Sequence, residues 1–114
     1  MIATLDEQEK KEIRHTFGKL INMSASTLTK WLQTEESKSV GQTKDGHKES
    51  IGHQSGKRII DILQKKVDEL TESDYEHIQK VIGYVKRHSA QRPEHVADSN
   101  WTYSLKNWGH DPEK

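Results

Sequence analysis

Apolar residues recur every three or four positions along most of the chain, the spacing that places side chains on one face of an α-helix. The sequence shows no strict alternation of apolar and polar residues, as a half-buried strand would, and no internal repeat. The pattern therefore predicts an all-α fold, a compact bundle of about five helices. The predicted helices cover roughly residues 5–21, 25–35, 52–67 and 72–89, with a short fifth helix between residues 99 and 109.

Capping residues set several of these boundaries. Thr4, followed by Glu7 three residues later, predicts a capping box at the start of the first helix. Thr71 and Asp74 predict a second capping box, before the fourth helix. Gly109 suits the position just after the fifth helix, where a left-handed backbone conformation is common.

A polar segment, EESKSVGQTKDGHKES, separates the second and third predicted helices. We predict one long polar loop here, in which only Val40 and Ile51 can contact the core. Loops of more than about 12–15 residues are uncommon in compact domains and are often functional. The second helix, the extended loop over residues 36–50 and the third helix thus form a predicted helix–extended-loop–helix unit.

The chain length of 114 residues fits one domain spanning residues 1–114. We divide it into an acidic N-terminal helix (1–21), central helices (22–92) and a C-terminal segment (93–114). The 18 Lys and Arg residues balance the 18 Asp and Glu residues, which argues against a polycation that coats nucleic acid. The charges are nevertheless uneven, because carboxylates crowd the first helix and cations the second half. A local basic patch is therefore compatible with zero net charge.

The composition also restricts the class of protein. The absence of cysteine excludes a disulfide scaffold and a thiolate zinc site. We see no signal peptide and no run approaching the roughly 20 apolar residues that span a bilayer. We expect a soluble, cytoplasmic protein without membrane contact, associated with the nucleoid if it is bacterial.

The 7 histidines follow no metal-binding spacing and no nucleophile–base pair is evident, so we expect a non-enzymatic protein with no cofactor or metal ion.

The stretch ESIGHQSGKRIIDIL places two glycines and a Lys–Arg pair directly before an aliphatic helix. One interpretation is an anion site, because the first N–H groups of a helix bind phosphate. The other is close packing, in which Gly56 lets a second helix approach while Lys57 and Arg58 face outwards. The glycine spacing differs from that of a phosphate-binding P-loop, and the sequence is compatible with both interpretations.

Two further features admit a packing and a functional interpretation. Gly83 lies on the polar face of the fourth helix, where glycine is useful only if another helix or a phosphate backbone approaches closely. Trp101, Leu105 and Trp108 share one face of the fifth helix, so the tryptophans are expected to anchor the C-terminus onto the core. The alternative is an aromatic platform for bases or a partner, to which Tyr103 could contribute.

Four segments together resemble a family of small, uncharacterised bacterial and fungal proteins that are often labelled DNA-binding: NMSASTLTKWLQTEESKSVG, ESIGHQSGKRIIDIL, DYEHIQKVIGYVKRHSAQRP and WTYSLKNWGHDP. The signatures that carry the resemblance are SVG, ESIGHQSGKR and SLKNWGHDP, whereas residues 1–21 match no family pattern. The resemblance implies a small DNA-binding protein.

A DNA-binding function requires cations that contact phosphates, and such contacts position a protein without specifying sequence. The helix–extended-loop–helix unit and the end of the fourth helix would supply them. The predicted nucleic-acid-binding residues are Lys38, Lys44, Lys48, His53, Ser55, Lys57, Arg58, Lys86, Arg87 and Arg92. The alternative is a protein-interaction module that docks a partner, or a second copy, through charged faces and C-terminal aromatic residues. Binding to phosphates should weaken steeply with salt, whereas apolar docking should not.

Overall fold

The computed structural model describes residues 6–40, 51–97 and 99–113 of the chain. Within these ranges it contains six α-helices, one 3-10 turn and no strand, which confirms the predicted all-α fold. The helices are α1 (Glu7–Leu20), α2 (Ala25–Leu32), α3 (Glu35–Ser39), α4 (Ile51–Leu63), α5 (Glu72–Ser89) and α6 (Asn100–Asn107), and the 3-10 turn covers Val67–Glu69.

Local hydrogen bonds determine where α5 and α1 begin. The Thr71 hydroxyl accepts a bond from the Asp74 N–H at 3.1 Å, and the Asp74 carboxylate accepts one from the Thr71 N–H at 3.0 Å. The predicted capping box is thus confirmed, and α5 has the predicted bounds. The prediction for α1 was wrong, because Asp6 is its N-cap and accepts a bond from the Glu9 N–H at 2.8 Å. Asp is a better N-cap residue than Thr, and Thr4 lies outside the described residues.

The segment predicted as a continuous loop begins with a helix, α3. Thr34 caps this helix by accepting a bond from the Ser37 N–H at 3.1 Å. The sequence pattern missed it because α3 is short and polar and buries only Ser37, so no apolar period marks it. Residues 41–50, most of the predicted loop, lie outside the described residues.

Helix α4 ends at Leu63, four residues before its predicted end. Lys66 adopts an extended backbone and donates its N–H to the Glu69 carboxylate at 2.9 Å. This bond starts the separate 3-10 turn, so the chain changes direction between α4 and α5 earlier than the apolar pattern suggested.

The core lies between two helix pairs that α6 joins. α1 packs along α5 and α2 along α4, while α6 contacts α2, α3, α4 and α5. The predicted apolar faces are the buried ones: Phe17, Ile21, Tyr75, Ile78 and Val81 are at most 7% exposed. The position of α6 therefore decides how the two pairs are held together.

Close packing accounts for the glycines of α4. A Cβ atom at Gly56 would lie 2.6 Å from the carbonyl oxygen of Asn107 and 2.8 Å from Leu32 Cδ2. A Cβ atom at Gly52 would lie 3.0 Å from Trp108 Nε1. Both glycines thus allow neighbouring elements to lie directly against α4, as the packing interpretation requires.

Residues 107–111 form a segment that ties the helices together, which we call the C-terminal belt. Asn107 is its first residue and is 1% exposed. Its Oδ1 accepts bonds from Trp31 Nε1 at 2.8 Å and from Ser37 Oγ at 2.5 Å, and its Nδ2 donates to the Ser37 carbonyl oxygen at 3.0 Å. One amide side chain therefore links α6 to α2 and α3.

The rest of the belt contacts the end of α1. Gly109 has a positive φ of 81°, the left-handed conformation predicted for it. His110 Nδ1 lies 2.6 Å from the carbonyl oxygen of Leu20. The Asn22 side chain donates to the Asp111 carbonyl oxygen at 2.9 Å and accepts from the Asp111 N–H at 2.7 Å. The belt thus connects residues that are about 90 positions apart in the chain.

Candidate nucleic-acid interface

A cleft with two connected lobes lies between α4, α5 and α6. The larger lobe, of about 410 Å³, is lined mainly by Ile51, Lys80, Tyr84, Arg87, Ser104 and Trp108. The smaller lobe, of about 280 Å³, adds Gln54, Ser55, Arg58 and His77. Because Ile51, Lys80 and Trp108 line both lobes, the lobes form one continuous surface, which we call the basic cleft.

Two cationic side chains of α5 line the basic cleft. Lys80 and Arg87 are two helical turns apart, about 10 Å along the axis, and so lie on the same face of the helix. Neither forms an ion pair with a carboxylate of the described residues. None of the described residues that line the cleft is acidic. Among the described residues, no carboxylate therefore pairs with either of these two positive charges.

Arg58 lies in the smaller lobe and is partly neutralised. Its guanidinium donates to Ser73 Oγ at 2.7 Å and lies 3.3 Å from the carboxylate of Asp74. The same buried carboxylate binds Lys65 Nζ at 2.8 Å. Burial by itself raises the pKa of Asp74, but hydrogen bonds from Lys65, the Thr71 backbone and Arg58 outweigh burial. They lower this pKa to about 2, so Asp74 is ionised at neutral pH.

Stacked aromatic rings form the floor of the cleft. Trp108 is 5% exposed and stacks on Tyr84 with 4.2 Å between ring centroids. Tyr84 also stacks on His88 at 5.2 Å, and His88 stacks on Trp101 at 6.0 Å. His77 is parallel to Trp108 at 6.4 Å. These five rings make one row along the interface between α5 and the C-terminal segment, and this ring row fixes that segment against α5.

Both histidines of the ring row have a pKa below the ordinary value. Burial lowers the pKa of His77, and the nearby charges of Arg58 and Lys80 lower it further. Its Nε2 makes a 2.9 Å hydrogen bond with Ser55 Oγ. Burial likewise lowers the pKa of His88, whose Nε2 is buried with no hydrogen-bond partner among the described residues. The positive charge of the cleft thus comes from its Lys and Arg side chains.

Three of the predicted residues, Ser55, Arg58 and Arg87, line the basic cleft. Two predicted residues have buried side chains. Ser55 lies at the base of the cleft but is 3% exposed, with its hydroxyl bonded inside the protein. His53 is 7% exposed, and its Nε2 lies 2.7 Å from the carbonyl oxygen of Leu32. Helices packed on α4 bury both side chains, so neither presents a surface contact for phosphate.

The remaining predicted lysines lie outside the cleft. Lys38 and Lys57 are exposed on α3 and α4, but they are not among the residues that line the cleft. Lys86 lines a different groove, between α1 and α5. Lys44 and Lys48 lie outside the described residues. The cations that line the basic cleft thus come from α4 and α5, and the prediction for the extended loop falls on residues outside the described ranges.

The site prediction missed Lys80. A signal was present in the sequence, because His77, Lys80, Tyr84 and Arg87 recur at a helical spacing and share one face of α5. The sequence could not show that this face borders a cleft, since the opposite wall comes from α4 and α6.

The C-terminal aromatic residues anchor the chain, in agreement with the packing interpretation. Trp101 donates its Nε1 to the carbonyl oxygen of His88 at 2.7 Å, and the predicted cation Arg92 lies over its ring at 5.6 Å. Tyr103 packs against Trp31, with 5.6 Å between the ring centroids. These half-buried rings thus have contacts within the protein.

Gly83 is not approached by another helix. A Cβ atom there would meet only the side chain of Arg87, whose Nη1 would be 3.0 Å away. The expected close approach of the C-terminal helix to Gly83 is therefore absent from the described structure.

A second groove, between α1 and α5, has the opposite charge pattern. Glu9 and Glu12 of α1 lie opposite Gln79 and Lys86 of α5 across a volume of about 330 Å³. We call it the acidic groove. Lys86 and Arg87 are neighbours in sequence, but successive residues of a helix point about 100° apart, so they line different grooves.

Neither a metal centre nor a membrane span is found in the part of the chain that the structure describes. No three His, Asp or Glu side chains there are grouped so that they could hold a metal ion. None of its helices has both the length and the apolar character needed to cross a bilayer.

The fold and the site define a small all-α protein with a basic cleft between three helices. The model of one family, described as protein of unknown function (DUF3140), matches residues 16–106, and the chain therefore belongs to that family. No curated protein and no solved structure matches the chain. The description of the family assigns no activity, so the function is argued from the site.

Proposed function

We propose that the protein binds nucleic acid, with phosphate groups held in the basic cleft by Lys80 and Arg87. One observation carries the proposal: Lys80 and Arg87, which pair with no carboxylate of the described residues, share one face of α5 and line a cleft that has no acidic residue in its described lining. Arg58 contributes at the end of the smaller lobe, with its charge reduced by Asp74.

The chemistry of the side chains suits phosphate. A guanidinium can donate two parallel hydrogen bonds to phosphate oxygens, so Arg87 fixes orientation, whereas Lys80 acts as a compact positive charge. The hydroxyl of Ser104, in the same lobe, hydrogen-bonds the side chain of Tyr84 and so helps to fix that ring in the cleft. Since Lys80 and Arg87 both recognise phosphates, the binding is expected to tolerate many base sequences.

The charge of the acidic groove also favours binding of the ligand at the basic cleft. Glu9 and Glu12 repel a polyanion from the α1 side of α5. A nucleic acid is therefore directed to the basic cleft by attraction on one side and repulsion on the other, although the net charge of the chain is zero.

The test is fluorescence anisotropy with a labelled oligonucleotide of about 12 nucleotides, used as a single strand and as a duplex. We expect the logarithm of the binding constant to fall linearly with the logarithm of salt concentration, by about 0.7–0.9 for each phosphate contacted. Arg87→Glu should weaken binding at least about tenfold and reduce this slope by about 1 or more.

Lys86→Glu is the matched control, because it makes the same charge change one residue earlier, in the same exposed last turn of α5. It should weaken binding less than about threefold, since only long-range charge changes. Equal losses in the two variants would contradict the cleft as the site. Failure of the unmodified protein to bind either oligonucleotide at low salt would overturn the proposed function.

A further inference from the structure

We infer that the basic cleft selects single-stranded over double-stranded nucleic acid, an inference that rests on the proposed function. The basis is the position of the cations relative to the surrounding helices. Lys80 and Arg87 belong to α5, but the cleft that they border is closed on its other side by α4 and α6. A ligand that fills the cleft therefore has the exposed side chains of Lys80 and Arg87 on one side and α4 and α6 on the other.

A duplex is poorly suited to such an entrance. Proteins that read duplex DNA commonly insert a helix into the major groove, which is about 12 Å wide and about 8.5 Å deep. α5 cannot be inserted in this way, because α1 packs along one side of it and α4 and α6 pack on the other. Duplex DNA is also stiff over about 150 base pairs, so it cannot bend locally into the space between the helices. A duplex can therefore contact only the exposed ends of Lys80 and Arg87, from outside the cleft.

A single strand fits the arrangement of charges. Arg58 is bound to Asp74 near the start of α5, Lys80 follows, and Arg87 lies near its end. From residue 74 to residue 87 the helix rises about 20 Å, so the cations form a line and not a single point. Grooves that track the backbone of a single strand have this kind of extended positive lining. A flexible strand can place successive phosphates along this line.

The contacts of the ring row suggest that nucleotide bases contribute little to the binding affinity. Trp108 and Tyr84 stack on each other, and Tyr84 also stacks on His88. These rings are engaged within the protein, so recognition depends on the sugar–phosphate backbone. We therefore expect strands of different sequence to bind with similar affinity, within about threefold.

The experiment compares one labelled strand of about 12 nucleotides alone and annealed to its complement, at about 50 mM salt, with the intact protein. We expect the single strand to bind at least about tenfold more tightly. The double variant Lys80→Gln/Arg87→Gln should lower the single-strand affinity to that of the duplex. Lys57→Gln/Lys86→Gln removes two charges outside the cleft and should keep the preference, and thermal unfolding checks that both variants fold.

The outcomes separate the two proposals. Duplex binding as tight as single-strand binding would overturn the strand selectivity and leave the proposed function standing. Binding of neither form would overturn the proposed function itself. A mononucleotide that displaces the strand at micromolar concentration would overturn the selectivity for a strand, because it would identify the cleft as a small-molecule site.

Discussion

The two grooves beside α5 share one helix and differ in charge. In the acidic groove Glu9 and Glu12 lie opposite Lys86, whereas Lys80 and Arg87 border a cleft with no carboxylate in its described lining. A net charge of zero therefore conceals a separation of charge across a single helix. For recognition of an anion this local field matters more than the total charge, because it guides the ligand to one side.

The two sides of α5 also differ in the contacts that fix the neighbouring helices. α1 packs directly along α5, and Arg14 donates a hydrogen bond to the Tyr75 hydroxyl at 2.8 Å. The basic cleft instead depends on α6, which is kept in place by the C-terminal belt and the ring row. Substitutions at the contact between α4 and α6 should therefore distort the basic cleft before they affect the structure of the acidic groove.

The largest effect is expected at Gly56, where α4 meets Asn107. Gly56→Ala should lower the free energy of unfolding by roughly 3 kcal/mol, because the new methyl group would lie 2.6 Å from a backbone oxygen that cannot rotate away. Urea unfolding followed by circular dichroism measures the change.

Gly18→Ala in α1 is the matched control for that substitution. A Cβ atom at Gly18 has no neighbour within 4 Å, so alanine should raise the free energy of unfolding by up to about 1 kcal/mol through its helix propensity. If Gly56→Ala behaved like Gly18→Ala, the close contact between α4 and the belt would be contradicted.

Asp74 should have the next largest effect, and its effect should depend on pH. Its pKa of about 2 in the folded protein lies below the ordinary value of 3.8. Its charge therefore stabilises the fold above about pH 4, and this contribution is lost as the pH falls through about 2. Asp74→Asn should lower the free energy of unfolding by about 1–2 kcal/mol at neutral pH, allowing for solvent around its cationic partners.

Urea titrations at neutral pH and near pH 2 test this expectation, since the difference between the two proteins should shrink in acid. Asp61→Asn provides the comparison, because Asp61 also contacts Lys65, at 3.5 Å, but is 63% exposed. Its loss should change the free energy of unfolding by less than about 0.5 kcal/mol. A pH-independent effect of Asp74→Asn would argue against an ionised, buried Asp74.

The smallest effect is expected at Gly83, on the rim of the basic cleft. Alanine there should raise the free energy of unfolding by up to about 1 kcal/mol, as at Gly18, because among the described residues its Cβ atom would contact just the flexible end of Arg87. Thermal unfolding measures the change. A loss of stability would show that the Arg87 side chain is fixed in place, and that the rim of the cleft is rigid.

Local signals predicted α5 best, because its capping box and its apolar face can both be recognised in the sequence. The box formed by Thr71 and Asp74 identified the start of α5, and the apolar spacing identified its buried face. α3 escaped prediction because its buried residue, Ser37, is polar and is satisfied by Asn107, which is 70 positions away. No local pattern could contain that information.

The candidate site was predictable only in part for the same reason. The sequence identified Arg58 and Arg87 as cations of interest, but it could not show which face of α5 borders a cleft, so Lys80 was missed. It also offered His53 and Ser55 as surface donors, because polar residues before a helix usually face solvent. Their burial depends on the helices packed against α4, which no spacing along the chain reveals.

The C-terminal belt also affects the timing of folding during synthesis. A ribosome adds about 5–20 residues per second, so residues 107–111 follow the end of α1 by roughly 5–20 s. Until then Leu20 and Asn22 lack their partners in His110 and Asp111. The N-terminal half is therefore synthesised well before the belt that binds it, and the basic cleft, which α6 closes on one side, is among the last features to form.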